Sequence, residues 1–227
     1  MKKICIFDFD GTLMNTITDV AICFNKSLEK FGYNAHPIEL YNNFVGGNLE
    51  IVIEKLLKYN QTKISTKKNI NDIKQYYSNL YLNCKKENTK PYDGIIELLK
   101  KLQDKRILLA INTNKKQILT EELCKKFFYD IKFEKIIGYV NDYPSKPNPT
   151  AVYDILKYTN LDKKDAVYIG DGLSDVKTAE NAGIDAIFVE WGQGKEEDKN
   201  SEIVKFVAKE AKDIYDYIVN WGIIWKK

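Results

Sequence analysis

Ile4-Cys5-Ile6-Phe7-Asp8-Phe9-Asp10-Gly11-Thr12-Leu13 sets a short apolar run against two carboxylates and a glycine. The apolar part, Ile4 to Phe9, is too short for a buried helix and reads as a buried strand ended by Asp10 and Gly11. Three more such runs follow: Ile107 to Ile111 before Asn112-Thr113-Asn114, Ala166 to Ile169 before Gly170-Asp171-Gly172, and Ala186 to Trp191 before Gly192. A weaker one spans Lys135 to Val140. Helix-like segments lie between them. Strand alternating with helix implies an α/β fold with a parallel sheet covered by helices on both faces.

In such Rossmann-like sheets ligands bind beyond the carboxyl ends of the strands, where the strand order switches. The polar residues ending these runs are therefore expected to converge. One connection breaks the rhythm: about 90 residues separate the first strand from the second, far more than a crossover needs. Ile17, Val20, Ala21, Phe24, Leu28 and Phe31 fall at helical spacing there, as do Leu49, Val52, Ile53, Leu56 and Leu57. Ile70, Ile73, Tyr76, Tyr77, Leu80, Tyr81 and Cys84 make a third stripe. The expectation is a small α-helical cap domain at residues 15–90, inserted after the first strand of a core made of residues 1–14 and 91–227. Joined by two neighbouring segments, it has the connectivity of a hinged lid that closes over the first strand's end and excludes water.

The 227 residues are 44% hydrophobic and 30% charged, with a net charge of +3 from interleaved lysines and acids. No long basic run marks a nucleic-acid or membrane surface. Cys5, Cys23, Cys84 and Cys124 make neither a metal-type pair nor a compact disulfide framework and read as reduced core thiols. The apolar start is interrupted by Asp8 and Asp10 before signal-peptide length. The late apolar stretch from Ile214 to Trp225 is short of the ~20 residues that span a bilayer. A cytoplasmic enzyme, monomer or homodimer, is expected.

Two acids at spacing two where a buried strand ends are costly unless a cation or protons offset their repulsion. Capping of the strand in solvent is the plain alternative. Phe7-Asp8-Phe9-Asp10-Gly11-Thr12-Leu13 resembles motif I of the haloacid-dehalogenase-like superfamily, and three further motifs appear in order. Ile111-Asn112-Thr113-Asn114-Lys115 is similar to motif II, although Thr113 alone reads as a helix N-cap. Lys146-Pro147-Asn148-Pro149 is similar to motif III, with a helix that Asn148 can cap and Pro149 can start. Gly170-Asp171-Gly172-Leu173-Ser174-Asp175 resembles motif IV, where an N-cap aspartate and a first-turn acid are also a common helix start.

The resemblance implies an Mg2+-dependent phosphatase acting on a small phosphorylated metabolite. Asp8 would attack phosphorus and form an aspartyl phosphate, and Asp10 would be the acid/base partner. Mg2+ would be held by the Asp8 carboxylate, the Asp10 main-chain carbonyl and Asp171, with Asp175 acting directly or through water. Thr113, Asn114 and Lys146 would hold the phosphoryl group. An oxygen-only set suits a hard cation, and no His or Cys cluster competes for a softer one. His36, the only histidine, is not needed as a base.

Asp10 argues against a dehalogenase, which hydrolyses an ester intermediate and needs no acid there. The helical insertion, Thr113-Asn114-Lys115 and the segment from Asp185 to Gly192 look most like the phosphoglycolate phosphatase subgroup. Substrate choice would sit in the cap, where Val45-Gly46-Gly47-Asn48 can bring amides to a ligand or simply enter a helix with Asn48 as cap. The chain's only arginine, Arg106, immediately precedes a buried strand and is expected at the end opposite the site. No arginine grip on a substrate carboxylate is therefore visible. A sugar-phosphate mutase of the same fold also keeps both aspartates; a pyrophosphatase of that fold and a catalytically silent binding protein are the remaining alternatives.

Overall fold

The structure, a computed structural model, describes residues 1–45, 49–59 and 67–220. Strand β1 (Ile4–Phe7) and the two-residue β2 (Met14–Asn15) come first. Helices α1 (Ile17–Lys30), α2 (Leu49–Tyr59) and α3 (Lys67–Asn83) follow, then the two-residue β3 (Lys90–Pro91). The rest alternates: α4 (Ile95–Asp104), β4 (Leu108–Lys116), α5 (Gln117–Phe127), β5 (Lys135–Tyr139), α6 (Thr150–Thr159), β6 (Ala166–Gly170) and α7 (Leu173–Ala182). It ends with β7 (Asp185–Val189), β8 (Val204–Ala208) and α8 (Ala211–Asn220). Two compact units result, Met1–Asn15 with Lys90–Lys227, and Thr16–Thr89.

The first unit carries a six-stranded sheet in the order β5-β4-β1-β6-β7-β8, and all its pairings are parallel. Alternation along each strand divides the core between two faces. Cys5, Phe7, Leu109, Ile111, Val167 and Ile169 pack with Leu98 and Leu102 of α4, Leu123 of α5 and Ile214 and Ile218 of α8. Ile4, Ile6, Ala110, Ala166 and Tyr168 pack on the other face with Val152 and Ile155 of α6 and Ala179 and Ala182 of α7. The parallel sheet with helices on both faces is thus the one expected from the apolar runs. Two details differ. β8 lies outside the expected strands, because at the sheet's edge Lys205 faces solvent and leaves no continuous apolar run. β4 runs on through Lys116, well past the end of its apolar run at Ile111, with an irregular register against β5 between Asn112 and Lys116.

β1 is flanked by β4 and β6, and Phe7 is opposite both Ile111 and Ile169. Connections leave β1 toward β4 and β5 and later return to β6 on its other side. The switch in strand order therefore falls at the carboxyl end of β1, where Asp8 sits.

In the second unit, α1 buries Val20, Ala21, Phe24 and Leu28, α2 buries Val52, Ile53, Leu56 and Leu57, and Ile70, Ile73, Tyr77 and Tyr81 of α3 are buried. Phe24 stacks on Tyr77 with ring centroids 3.8 Å apart. Buried Asp19 near the start of α1 accepts hydrogen bonds from the Asn88 amide N–H at 3.0 Å, Asn88 Nδ2 at 2.9 Å and Thr89 Oγ1 at 2.7 Å. Asp19→Ala strands these donors, so unfolding by urea is expected to show a loss of about 1–3 kcal/mol. A midpoint unchanged from wild type would show that the clamp is not needed. The four cysteines are free, with Cys5, Cys23 and Cys124 buried. No described helix is long and apolar enough to cross a membrane.

Candidate active site

β1 continues for one residue beyond its last rung, the Asp8 N–H donating to the Ile169 carbonyl at 2.9 Å. The chain then turns back, with Leu13 N and Met14 N both bonding the Phe9 carbonyl at 3.0 and 2.9 Å. Gly11 makes this turn at φ +83°, and a Cβ there would overlap the Asp171 carboxylate. Glycine serves both needs, the left-handed backbone and the close approach.

Around Asp8 the strand ends assemble a buried charged cluster. Lys146 Nζ lies 2.6 Å from Asp8 Oδ1 and 2.6 Å from Asp175 Oδ1, with only 2% of its side chain exposed. Asp175, in the first turn of α7, also accepts the Gly172 N–H at 3.0 Å, so it caps its own helix and pairs with the lysine at once. Asp171 accepts from Thr12 Oγ1 at 3.0 Å and from Gln193 N at 2.7 Å. Ligand atoms of Asp8, Asp171 and Asp175 lie within 4.8 Å of one another. Asp10 stands apart from that group: both its oxygens are 3.0 Å from Lys115 Nζ.

Thr113 is buried on β4 and is not an N-cap, because the strand runs on and α5 begins only after Lys116. Its Oγ1 accepts the Lys115 N–H at 3.2 Å. The Asn114 amide grips the Lys146 main chain at both ends, Oδ1 from N at 2.9 Å and Nδ2 to O at 3.3 Å, so it holds the lysine's loop. The helix α6 starts at Thr150, so Pro149 rather than Asn148 occupies its cap position and no side chain caps it; Asn148 Oδ1 instead accepts from Thr150 N at 3.0 Å, from one residue further out. His36 lies in the helical unit, buried, with Nε2 3.1 Å from the Leu56 carbonyl. Arg106 is exposed just ahead of β4, at the end of that strand opposite Thr113. Gly47 and Asn48 lie outside the described residues.

Burial and then Asp175 push the Asp8 carboxyl up to about 7, against the opposing pull of Lys146. Burial, Asp175 and Asp8 push Asp171 up to about 8. Burial alone would discharge Lys146, but Asp175 and Asp8 outweigh it and hold its ammonium well above the ordinary lysine range. When all three carboxyls of this buried group are ionised, their charge exceeds that of the single ammonium, Lys146, by two. Asp8 Oδ1 is buried without a hydrogen bond of good geometry. An oxygen-only set with this charge fits a divalent cation.

Those raised carboxyls give the pH dependence its sign. Between about pH 4, where free carboxyls titrate, and about pH 8 the folded protein holds protons on Asp8 and Asp171 that the unfolded chain has released. In that window these two groups make stability fall as pH rises. A divalent cation relieves the repulsion and needs the carboxylates ionised. The melting temperature of the metal-free protein is expected to drop from about pH 5 to about pH 8, and an added divalent cation to raise it more at the higher pH. At a hundredfold excess over its dissociation constant the gain is ~2.7 kcal/mol, or several degrees. Thermal melts with EDTA and with Mg2+ check this, and an equal metal response at both pH values would remove the carboxylates as the binding group.

Sequence reasoning assigned nothing to Thr12, Lys115 or Gln193. Thr12 and Lys115 stand inside the motifs, and their location was a signal. Gln193 carried none: it reaches Asp171 because the loop after β7 folds over it, with Trp191 Nε1 donating to the Thr12 carbonyl at 3.0 Å.

The sequence profile of the haloacid dehalogenase-like hydrolases matches residues 5–189. Among curated relatives, the phosphoglycolate phosphatase of Psychrobacter arcticus is 27% identical over 224 residues, covering 97% of this chain and 95% of the relative. That of Aquifex aeolicus is 26% identical over 218 residues, covering 96% and 97%. A solved structure from Lactobacillus delbrueckii subsp. bulgaricus, described as a candidate phosphoglycolate phosphatase, superposes with a TM-score of 0.89 at 25% identity, covering 96% of this chain and 99% of that one.

Proposed function

The chain belongs to the haloacid dehalogenase-like hydrolase family and is a phosphoric monoester hydrolase, and from that premise we propose that it hydrolyses small phosphorylated metabolites through an aspartyl phosphate on Asp8, with Mg2+ and in the cytoplasm. The observation that carries the mechanism is the division of the two motif I aspartates. Asp8 lies inside the cluster with Lys146, Asp171 and Asp175, while Asp10 lies beside it on Lys115. That division supports attack by Asp8 and proton transfer by Asp10.

In the first half-reaction an Asp8 oxygen bonds phosphorus as the bond to the leaving oxygen breaks, and that oxygen takes a proton from Asp10. In the second, water bonds phosphorus as the Asp8–phosphorus bond breaks, and Asp10 takes the water's proton. Lys146 offsets the charge of Asp8 and of the phosphoryl oxygens, and the Thr113 hydroxyl donates to one of those oxygens. Asp8, Asp171 and the Asp10 main-chain carbonyl would hold the cation, with Asp175 alongside. When bound, it supplies positive charge to the phosphoryl oxygens. Asn114 acts by holding the Lys146 loop. Substrate choice resides in the helical unit, Thr16–Thr89.

A phosphate-release screen over small phosphorylated metabolites with Mg2+ tests this reading. 2-Phosphoglycolate heads the screen because relatives from Psychrobacter and Aquifex are named for it. Release that EDTA abolishes is the expected result. Phosphate kept on an isomerised sugar would instead identify a mutase, and no Mg2+-dependent turnover on any phosphate ester would sink the enzyme reading.

A further inference from the structure

Lys115 is buried, with only 3% of its side chain exposed, whereas the Asp10 side chain that it meets is 33% exposed. Its Nζ is equidistant, at 3.0 Å, from both oxygens of that carboxylate. The two partners are therefore unequal. A lysine stem enclosed along a strand has few rotamers open to it, while a short carboxylate on a turn at the solvent side keeps its freedom unless something holds it. The base of the lysine is also fixed, since its N–H bonds Thr113 Oγ1 at 3.2 Å and β4 continues to Lys116. Fixity thus passes from the strand to the ammonium and from the ammonium to the carboxylate plane.

We propose that Lys115 is a positioning residue for Asp10, holding its carboxylate in the orientation from which it exchanges protons with the leaving oxygen and then with water. This rests on the phosphatase reading and deepens it. Removing the ammonium should leave the Asp8 attack intact and impair both proton transfers. The two halves can be separated by the leaving group. 4-Nitrophenolate departs without a proton, whereas the alkoxide of an alkyl phosphate needs one.

The experiment compares wild type, Lys115→Met, Lys115→Gln and Asp8→Asn on 4-nitrophenyl phosphate, 2-phosphoglycolate and glycerol 3-phosphate with Mg2+, following kcat, KM and the pre-steady-state burst. On an alkyl phosphate, Lys115→Met is expected to lower kcat by about 10²-fold, within the range of general acid/base help, with KM within about twofold. On 4-nitrophenyl phosphate it should give a burst of one nitrophenolate per enzyme at close to the wild-type rate, followed by steady turnover lowered as much, because the aspartyl phosphate waits for its water. Loss of the burst together with turnover would place Lys115 in the attack step and overturn the proposal. A raised KM at unchanged kcat would make it a substrate grip, which also overturns it. So would wild-type kinetics in the variant. Thermal melts report folding, and if Lys115→Met does not fold, Lys115→Gln decides by the same criteria. A wild type that releases no phosphate from any ester overturns both readings, whereas active wild type, inert Asp8→Asn and unaltered Lys115 variants overturn this one alone.

Discussion

Asp8→Asn is expected to lower kcat at least ~10⁴-fold, in line with what removal of an enzyme nucleophile costs elsewhere. The substitution is nearly isosteric and replaces an attacking oxygen by an amide that cannot form the acyl phosphate. Folding should survive it. Burial and the neighbouring Asp175 raise the Asp8 carboxyl to about 7, so above that pH the ionised form is the strained one, and its neutral replacement relieves the metal-free protein. An inactive variant that melts no lower than wild type in EDTA at about pH 8 would separate chemistry from stability. Wild-type turnover in the variant would mean that Asp8 is not the nucleophile.

The second large effect is on stability. Lys146→Met leaves Asp8 and Asp175 buried against each other without the ammonium that lies 2.6 Å from each. Breaking a buried ion pair by deleting one partner costs about 3–5 kcal/mol, because the remaining charge is left uncompensated. At this chain length that corresponds to a fall of roughly 10 °C in melting temperature. The cost should depend on pH with a definite sign. Burial and Asp175 already raise the Asp8 carboxyl against the pull of Lys146, so without the ammonium it takes up its proton still more readily; at about pH 5 that removes part of the repulsion, and the variant should be closer to wild type there than at about pH 8. Melts in EDTA at the two pH values test this. A deficit independent of pH would show that the lysine stem's packing, not its charge, stabilises the site. Phosphate release should fall as well, since the same ammonium faces the nucleophile.

How far the site was legible depended on the kind of signal each residue left. Asp8 and Asp171 close buried apolar runs, and an acid there is conspicuous because its charge needs a counterion; Asp175 follows four residues after Asp171, in the first turn of α7. Lys146 stood out only by its prolines in a lysine-rich chain, and its place between two carboxylates had no local signature. Asn114 was legible as a polar residue near the site but not as the clasp of the Lys146 main chain, since its partner is 32 residues away. β8 was missed because an edge strand is half solvated.

The alternation of apolar runs with helical stripes determined by itself that this chain builds a parallel sheet with a helical insertion, because burial of apolar surface imposes period and run length on the local sequence. It also placed the acids at the strand ends. Tertiary structure alone decided which oxygen meets which ammonium: Lys146 to Asp8 and Asp175, Lys115 to Asp10, Gln193 N to Asp171. Those pairings join residues far apart in the chain, and their energies depend on distances of a few ångströms and on burial, quantities set only when the strands lie side by side.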